Sequence, residues 1–378
     1  MPTAVITPVP FVDLDRIHAP LRAQFAAAVE EVLDSGRYLL GPQTRAFEQE
    51  FAAHEGAADG VACGSGSDAL YLALRAYGIG PQSRVATVAN SFVATAESIA
   101  RTGADVVFVD TDPGSRCMDP SDLEQLLSEP GAERLAAIIP VHLYGRQADV
   151  KGLREVLEAA GREDIQIIGD AAQAHGSSGV GSVTELTCYS FYPGKNLGAL
   201  GDGGMVLSSN PALLETIRGL RNHGRAAKHT VGEVGLNSRF DEIQAAVLRI
   251  KLRELDAYTA SRRASAARYR GLLGDLGGVT LPEDTVDHVY HLFCVEVDAA
   301  VRDQVVEKLR ERGVGVGLHY PVAVHRMKPY PSSRPLPRSE EQCARILSLP
   351  MFVGMTVDEV DSVCHSVKEV IRGFEEGR

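Results

Sequence analysis

One lysine of the chain lies in a segment whose composition suits covalent chemistry on a bound ring. Lys195 follows Pro193 and Gly194 within SFYPGKNLGALGDGG (190–204), which is rich in glycine and other small residues. Glycines let the backbone approach a planar ligand closely, and a lysine acts as a neutral nucleophile when it is partly removed from water. A lysine on a solvated loop explains the segment equally well, so this motif needs support from other residues.

A carboxylate ends an apolar run upstream of this lysine. In IIGDAAQAHG, Asp170 directly follows predicted strand residues, where an unpaired carboxylate is costly. It is either the N-cap of a following helix or the partner of a ligand. In a pyridoxal 5'-phosphate (PLP) site, a carboxylate here keeps the ring nitrogen protonated. Gln173 is then within reach of the ring hydroxyl, whereas His175 is predicted to be a structural histidine with satisfied hydrogen bonds.

The segment GSGSDALYLAL (64–74) joins a short strand to a helix and predicts a phosphate site. With Ser67 as the N-cap, the N–H groups at the helix start lack partners within the helix and suit an anion. The segment also fits the G-x-G-x-x-A pattern of dinucleotide sites, but the sequence has no acidic residue about twenty positions later. It therefore favours a phosphate over a dinucleotide.

Two further segments supply candidate ligand contacts. Phe92 in NSFVAT follows a predicted strand, where its ring suits either stacking on a planar cofactor or packing in the core. In GLNSRFDEIQAAVL (235–248), Ser238 and the aspartate three residues later form a capping-box pattern, which predicts a helix that begins at Ser238. Asn237 and Arg239 flank that helix start, and ordinary loop polarity is the alternative explanation for both.

The elements that must position these residues are predicted from the alternation of apolar runs and helical patterns between about residues 60 and 210. Runs that are apolar on both faces and separated by helices predict a mostly parallel sheet covered on both sides. Ligands of such sheets bind at the carboxyl ends of the strands. An amphipathic helix is predicted at 20–34, and strands are predicted at 84–88, 105–110, 135–141, 165–170 and 204–208.

The pattern changes after about residue 255. A long helix rich in arginine and alanine is followed by the apolar run VYHLFCVEV, a helix that ends at Gly313, and a closing helix near 356–373. We therefore predict two domains: an N-terminal arm with a large domain at 1–255, and a smaller α+β domain at 256–378. The segment PSSRPLPRS (331–339) is expected to be an exposed loop.

The composition limits the partners and the compartment. The formal net charge is −12, so nucleic acid and anionic membranes are repelled over most of the surface. The six cysteines have neither CxxC spacing nor zinc-like His/Cys pairing, so we expect reduced buried thiols and no metal. Because the sequence has no apolar run of about 18 residues and no export signal, we expect a cytoplasmic protein.

With these motifs in view, the chain resembles the DegT/DnrJ/EryC1/StrS family of nucleotide-sugar aminotransferases. The similarity runs through nearly the whole chain, in FVDL, GPQTRAFEQEFA, SGSDALYLALRAYGIGP, VDTDP, IIPVHLYGR, DAAQAHG, SFYPGKNLGALGDGG, RNHG, GLNSRFDEIQAAVL, LHYPVAVH and LSLP. The resemblance implies the α/β architecture of fold type I aminotransferases, with a mostly parallel seven-stranded sheet in the large domain. It also implies PLP as the cofactor.

The reaction implied by the resemblance is transfer of an amino group to a keto group of a nucleotide-linked sugar. L-Glutamate is the expected donor, and a thymidine diphosphate (dTDP) deoxy sugar of amino-sugar or antibiotic biosynthesis is the expected acceptor. The resemblance implies that Lys195 carries PLP as a Schiff base and moves the proton. It further implies that Asp170 holds the ring nitrogen, that Gln173 contacts the ring oxygen, and that Phe92 covers the ring face.

The resemblance also implies residues around the phosphate and the sugar. Residues expected at the cofactor phosphate are Gly66, Ser67, Asp68 and Ser190, with Asn237 reaching it from a neighbouring subunit. This last residue implies a homodimer with shared active sites. Residues expected near the sugar nucleotide are Arg239, His319, Tyr320 and His325. Independently of the resemblance, the basic residues around RNHG are candidates for contacts to a diphosphate: Arg218, Arg221, Arg225 and Lys228. For Arg218 and Arg221, a solvated helix face is the alternative.

Two departures from the family pattern concern the surroundings of the site. The segment 176–191 is shorter than the usual family segment, and Gly169 stands where an acidic residue often precedes the aspartate. Three alternative functions are less consistent with the sequence. Lys195 argues against a PLP-dependent sugar dehydratase, in which histidine replaces the family lysine. The joint presence of lysine, aspartate and phosphate cup argues against a non-catalytic regulatory protein on this scaffold, and the missing ribose-binding carboxylate argues against an NAD-dependent oxidoreductase.

Overall fold

The computed structural model describes residues 8–227 and 230–376. Its helices are α1 (Leu14–His18), α2 (Arg22–Ser35), α3 (Pro42–Glu55), α4 (Gly66–Ala76), α5 (Ala94–Arg101), α6 (Pro120–Leu127), α7 (Val150–Ala159), α8 (Pro211–Leu220), α9 (Glu242–Leu252), α10 (Leu255–Leu273), α11 (Arg302–Glu311), α12 (Pro337–Arg345) and α13 (Val357–Glu375). Its strands are β1 (Asp59–Cys63), β2 (Arg84–Val88), β3 (Asp105–Val109), β4 (Leu135–Ile139), β5 (Gln166–Asp170), β6 (Leu186–Ser190), β7 (Gly204–Ser208), β8 (Arg225–Ala227), β9 (Thr230–Val231), β10 (Phe293–Glu296) and β11 (Ile346–Leu349).

Seven strands form one large sheet in the order β1-β7-β6-β5-β4-β2-β3. The neighbours from β3 to β6 pair in parallel, whereas β7 runs antiparallel to both β6 and β1. The strands are buried on both faces, with β7 fully so, as a sheet covered by helices on both sides requires. The predicted mostly parallel seven-stranded sheet is therefore confirmed. The strand at 186–190 was not recognised separately, because threonine, cysteine and serine interrupt its apolar pattern.

Local signals explain where several helices begin and end. Thr356 and Glu359 form a complete capping box at the start of α13, and Asp149 accepts the N–H of Gly152 at the start of α7. Helices α2 and α3 end at glycines in the left-handed conformation, Gly36 and Gly56. These ends fix the lengths of the helices that pack around the sheet.

A second core lies in the C-terminal part of the chain. Helices α10, α11 and α13 pack with the β10–β11 pair around a cluster of buried side chains that includes Tyr269, Phe293 and Phe352. Val9, near the start of the described residues, belongs to the same cluster and is paired with Val314. The division of the chain into domains at residue 255 stays a prediction.

The segment 331–339 agrees only in part with the expected exposed loop, since five of its nine residues are exposed. Helix α12 already begins at Pro337, and the side chains of Leu336 and Ser339 are buried. Arg334 anchors the segment through Asp122, with an Nη1–Oδ2 distance of 2.5 Å. The prolines and serines predict exposure, whereas a partly buried ion pair and a short helix hold part of the segment in place. No helix in the described ranges has the length and apolar character needed to cross a membrane.

Candidate active site

A cavity of about 620 Å³ lies at the carboxyl ends of the parallel strands. Because these strands run in the same direction, the residues that follow them meet at one edge of the sheet. Nine of the residues singled out from the sequence line this cavity: Gly66, Ser67, Phe92, Asp170, Gln173, Ser190, Lys195, His319 and Tyr320. Residues more than 250 positions apart in the chain are thus brought to one site.

Lys195 is a partly buried lysine on the loop between β6 and β7. Its backbone N–H donates to the carbonyl oxygen of Tyr192 at 2.9 Å, which shapes the turn that carries it. Burial lowers the pKa of Lys195 to about 8, while the nearby Asp170 carboxylate opposes that change. The amine is therefore closer to neutrality near physiological pH than an exposed lysine, as a nucleophile or a base requires.

Asp170 is a buried carboxylate at the end of β5, with 4% of its surface exposed. It accepts hydrogen bonds from the Thr95 hydroxyl at 2.8 Å and from the Ala172 N–H at 3.1 Å. Burial raises its pKa, and these two donors together with Lys195 counteract the rise. The carboxylate accepts these two hydrogen bonds from the protein, and it also lines the cavity, where a ligand can supply a further hydrogen-bond donor.

The start of α4 forms one wall of the cavity and has the geometry of an anion site. The helix begins at Gly66, and a Cβ atom at this position would lie only 2.6 Å from the Cβ of Ser190. Glycine therefore lets the first turn of α4 approach the end of β6. The N-cap is Ser65, whose hydroxyl oxygen accepts the N–H of Asp68 at 3.1 Å, so the predicted N-cap role of Ser67 is wrong by two positions.

Asp68 does not line the cavity but holds a neighbouring loop. Its Oδ2 accepts the Ser238 hydroxyl at 2.7 Å, and the same hydroxyl oxygen accepts the Gly64 N–H at 2.9 Å. Ser238 is thus bound to the loop before α4 and does not cap a helix. Helix α9 begins only at Glu242, and the predicted helix start at Ser238 is wrong.

The polar wall opposite α4 is built around Gln173. Its side-chain oxygen accepts the Tyr144 N–H at 2.6 Å, and its side-chain nitrogen donates to the Tyr320 hydroxyl at 3.2 Å. The ring of Phe92 lies 5.8 Å from that of Tyr320, measured between centroids. Phe92 is 54% exposed, so its ring faces the cavity and is not packed in the core.

Three histidines near Lys195 are held in the neutral form. Burial, reinforced by the Lys195 charge, lowers the pKa of His175 to about 3 and that of His319 to about 4. The same two causes lower the pKa of His291. His319 stacks on Phe11 with ring centroids 5.4 Å apart, and its Nδ1 lies 2.9 Å from the Ser348 hydroxyl. His291 and His319 line the cavity as neutral hydrogen-bonding groups.

The predicted structural role of His175 agrees with its position, but the expected satisfied hydrogen bonds are not found. The residue is fully buried among the rings of Phe51, Tyr189 and Phe191. Neither ring nitrogen has a hydrogen-bond partner of good geometry among the described residues. Aromatic packing therefore holds this ring.

Several of the predicted site residues lie outside the cavity. Asn237 is exposed, and its side-chain oxygen accepts the Nε–H of Arg239 at 3.0 Å. His325 is buried elsewhere, with its Nε2 3.0 Å from Oε1 of Glu340. None of Asn237, Arg239 and His325 lines the cavity that contains Lys195.

The basic residues considered for a diphosphate have other partners. Arg218 pairs with Asp59 at 2.6 Å, and Arg221 forms a buried ion pair with Glu48 at 2.6 Å. A buried arginine paired with a carboxylate inside the fold is not available to a ligand. Arg225 lies at the start of β8, and Lys228 lies outside the described residues.

Sequence reasoning missed several residues that shape the site. Thr95, Phe11 and His291 line the cavity, and Tyr144 binds residues that do. Thr95 had a weak signal, because it lies three residues after Phe92. Phe11 and His291 carried no local signal, since only the packing of distant segments brings them to the sheet edge.

The residues present suit PLP, as four features show. The partly neutral Lys195 and the buried Asp170 carboxylate share one cavity, and the carboxylate faces space for another hydrogen-bond donor. Gly66 allows the start of α4, a helix start of the kind that binds phosphate, to lie close to the end of β6. The exposed ring of Phe92 lines the same cavity.

The chain is similar to known proteins over nearly its whole length. The model of the DegT/DnrJ/EryC1/StrS aminotransferase family matches residues 20–368. A dTDP-3-amino-3,4,6-trideoxy-alpha-D-glucose transaminase from Streptomyces venezuelae is 42% identical over 372 residues, covering 96% of each chain. A protein named pleiotropic regulatory protein, from Geobacillus stearothermophilus, is 38% identical over 376 residues, covering 97% of this chain and 99% of the relative. A crystal structure of NtdA from Bacillus subtilis with bound cofactor PMP superposes with a TM-score of 0.91 at 30% identity, covering 97% of this chain and 86% of that one.

Proposed function

Since the chain belongs to the DegT/DnrJ/EryC1/StrS aminotransferase family and is a PLP-dependent enzyme, we propose that it transfers an amino group from L-glutamate to a keto group of a dTDP-linked deoxy sugar. The nucleotide-sugar aminotransferase class follows from relatives at about 40% identity, such as the transaminase from Streptomyces venezuelae. One observation carries the assignment of chemistry to this site: Lys195, with its lowered pKa, shares a cavity with the buried Asp170.

In this proposal, Lys195 forms the covalent link to the cofactor and later acts as the base. PLP supplies a ring that withdraws electrons from the carbon bearing the amino group. Asp170 keeps a proton on the ring nitrogen, and the Thr95 hydroxyl orients that carboxylate. The Lys195 amine would take up the proton that leaves the α-carbon of the amino-acid donor and hold it for return during the transfer. A pKa of about 8 suits this exchange at neutral pH.

Other residues are proposed to bind and orient the cofactor. Gly66, Ser67 and Ser190 surround the place proposed for the phosphate, Gln173 contacts the ring oxygen, and Phe92 covers one ring face. The carboxylate of Asp68 serves the phosphate indirectly, by holding Ser238 and the loop before α4.

The acceptor is proposed to lie near His319 and Tyr320, which line the same cavity. We keep His325 apart from this set because it is buried against Glu340. Asn237 is exposed and outside its own cavity, which supports a homodimer in which Asn237, with Arg239 beside it, completes the partner's site. Six free buried thiols fit a reducing compartment, which supports the cytoplasm as the location.

The test is the visible absorbance of the PLP-loaded protein before and after an amino donor. We expect a band from PLP held by Lys195, which L-glutamate converts to the spectrum of pyridoxamine phosphate, while D-glutamate leaves it unchanged. Lys195→Ala should abolish both the band and turnover with keto-sugar nucleotides, at an unchanged melting temperature. A Lys195→Ala variant with near-normal turnover would refute the role of Lys195.

Mixed dimers test the shared site. Chains carrying Lys195→Ala and chains carrying Asn237→Ala are each expected to be inactive or weak alone. After dissociation and re-association, a mixed dimer has one site with both an intact lysine and an intact asparagine, so activity should return. No recovery would show that Asn237 acts within its own chain or has no role.

The regulatory name of the relative from Geobacillus stearothermophilus favours one second candidate, a regulatory protein on this scaffold. The spectrum separates the two functions. A regulator without chemistry would show no conversion with any amino acid, and conversion by a donor other than glutamate would keep the enzyme but change its donor.

A further inference from the structure

Tyr144 lies behind the cavity wall and connects three segments that form it. It follows β4 in a short turn, is 4% exposed, and does not itself line the cavity. Its three polar groups all bind residues of other segments. Its N–H donates to the side-chain oxygen of Gln173 at 2.6 Å, its carbonyl oxygen accepts the Leu292 N–H at 3.3 Å, and its hydroxyl donates to the His319 carbonyl oxygen at 2.5 Å.

All three partners of Tyr144 line the cavity, and they come from three distant parts of the chain. Gln173 follows β5, Leu292 precedes β10, and His319 lies after α11. The hydroxyl bond to His319 also places Tyr320, whose own hydroxyl accepts from Gln173. The contacts therefore form a closed ring: Tyr144 binds Gln173, Gln173 binds Tyr320, and the carbonyl preceding Tyr320 binds Tyr144.

The backbone of Tyr144 is in an unfavourable conformation. Its φ of 60° and ψ of 4° lie in the left-handed region, which is costly for a residue with a Cβ atom. The following Gly145 is also left-handed, and a Cβ atom there would lie 2.9 Å from the His291 N atom. Strain of this kind persists where surrounding contacts determine the conformation, and such residues cluster at functional sites.

We propose that Tyr144 is the positioning residue of this active site, and that its hydroxyl fixes the His319–Tyr320 segment on the acceptor side of the cavity. The backbone N–H of Tyr144 holds Gln173, which is proposed to contact the cofactor, so this bond acts on the cofactor side. The hydroxyl binds the His319 carbonyl directly and is linked to Gln173 only through Tyr320, so its removal acts first on the acceptor side.

The variant Tyr144→Phe removes only this hydroxyl, and Tyr269→Phe is the matched control. Tyr269 is also fully buried, and its hydroxyl donates to a backbone carbonyl, that of Pro350, at 2.9 Å. The first readout is hydrogen exchange of the PLP-loaded enzyme in the peptide spanning residues 316–325. The Gly317 and Val324 amides in this peptide donate to the carbonyls of Ser348 and Ala89, so they report loosening on either side of His319.

We expect exchange in this peptide to rise about tenfold in Tyr144→Phe, corresponding to loss of about 1.4 kcal/mol of local protection, and to stay within about twofold of wild type in Tyr269→Phe. Unchanged exchange in Tyr144→Phe, or equal increases in both variants, would overturn the proposal. This readout needs no substrate and therefore decides the question independently of the proposed function.

The second readout separates the two half-reactions and rests on the proposed function. In Tyr144→Phe, PLP affinity and the donor half-reaction should stay within about twofold of wild type, whereas kcat/KM for the keto-sugar acceptor should fall about tenfold, as expected for one lost hydrogen bond. Equal losses in both half-reactions would mark Tyr144 as a structural residue and overturn its positioning role. A wild-type enzyme that aminates no nucleotide sugar would refute the proposed function, while hydrogen exchange would still decide the assignment of Tyr144.

Discussion

Raising the pH should accelerate the capture of PLP by the apoenzyme, until Lys195 is mostly neutral. Attack on the PLP aldehyde requires the neutral amine. With a pKa of about 8, the neutral fraction is about one tenth at pH 7 and about one half at pH 8, whereas a lysine of ordinary pKa would be neutral in about 0.03% of molecules at pH 7. Burial thus increases the reactive fraction at pH 7 about 300-fold.

The assay is stopped-flow absorbance of apoenzyme mixed with PLP between pH 6 and pH 10. We expect the rate to rise nearly tenfold per pH unit below about pH 7 and to level off above about pH 9. Histidines do not obscure this range, because the pKa of His175 is about 3 and that of His319 about 4. A rate that still climbs tenfold per unit at pH 10 would refute a lowered pKa for Lys195.

Two variants identify the cause of this pH profile. The Asp170 carboxylate raises the pKa of Lys195 against the larger effect of burial, so Asp170→Asn should move the rise in capture rate to lower pH. Asp202→Asn is the control, since Asp202 also lines the cavity and is not among the groups that shift Lys195. Equal displacement of the profile in both variants would show a general effect of charge in the cavity.

Two further predictions concern stability, each compared with the exposed control Glu30→Gln. The buried Glu242 carboxylate accepts hydrogen bonds from the N–H groups of Gly41, Gln43 and Thr44 at the start of α3. Glu242→Gln should therefore lower the free energy of unfolding by about 2–4 kcal/mol and the melting temperature by about 3–5 °C. A change in melting temperature below about 1 °C would refute this capping role. Glu48→Ala leaves Arg221 buried and unpaired, so it should cost about 3–5 kcal/mol in chemical denaturation, and a loss under about 1 kcal/mol would show that the pair contributes little.

The sequence alone was sufficient to predict the site residues that lie at or shortly after the ends of strands. Asp170 and Lys195 each lie in a motif with a recognisable neighbourhood, and the parallel sheet brings both motifs to one edge. The start of α9 was misplaced because Ser238 binds Asp68, a contact across 170 positions that no local capping pattern reveals. Tyr144 could not be predicted from the sequence for the same reason, since its role depends on partners from three distant segments.

The pairing of Val9 with Val314 has a consequence for the order in which the protein is made. The Val9 N–H donates to the Gly313 carbonyl oxygen at 2.9 Å, and the Gly315 N–H donates to the Val9 carbonyl oxygen at 2.8 Å. A ribosome delivers the partners of Val9 only after it has added more than 300 further residues. The C-terminal core, which contains both Val9 and helix α13, therefore cannot be completed during most of translation. Its closure is a late step, because it needs contacts between segments more than 300 residues apart.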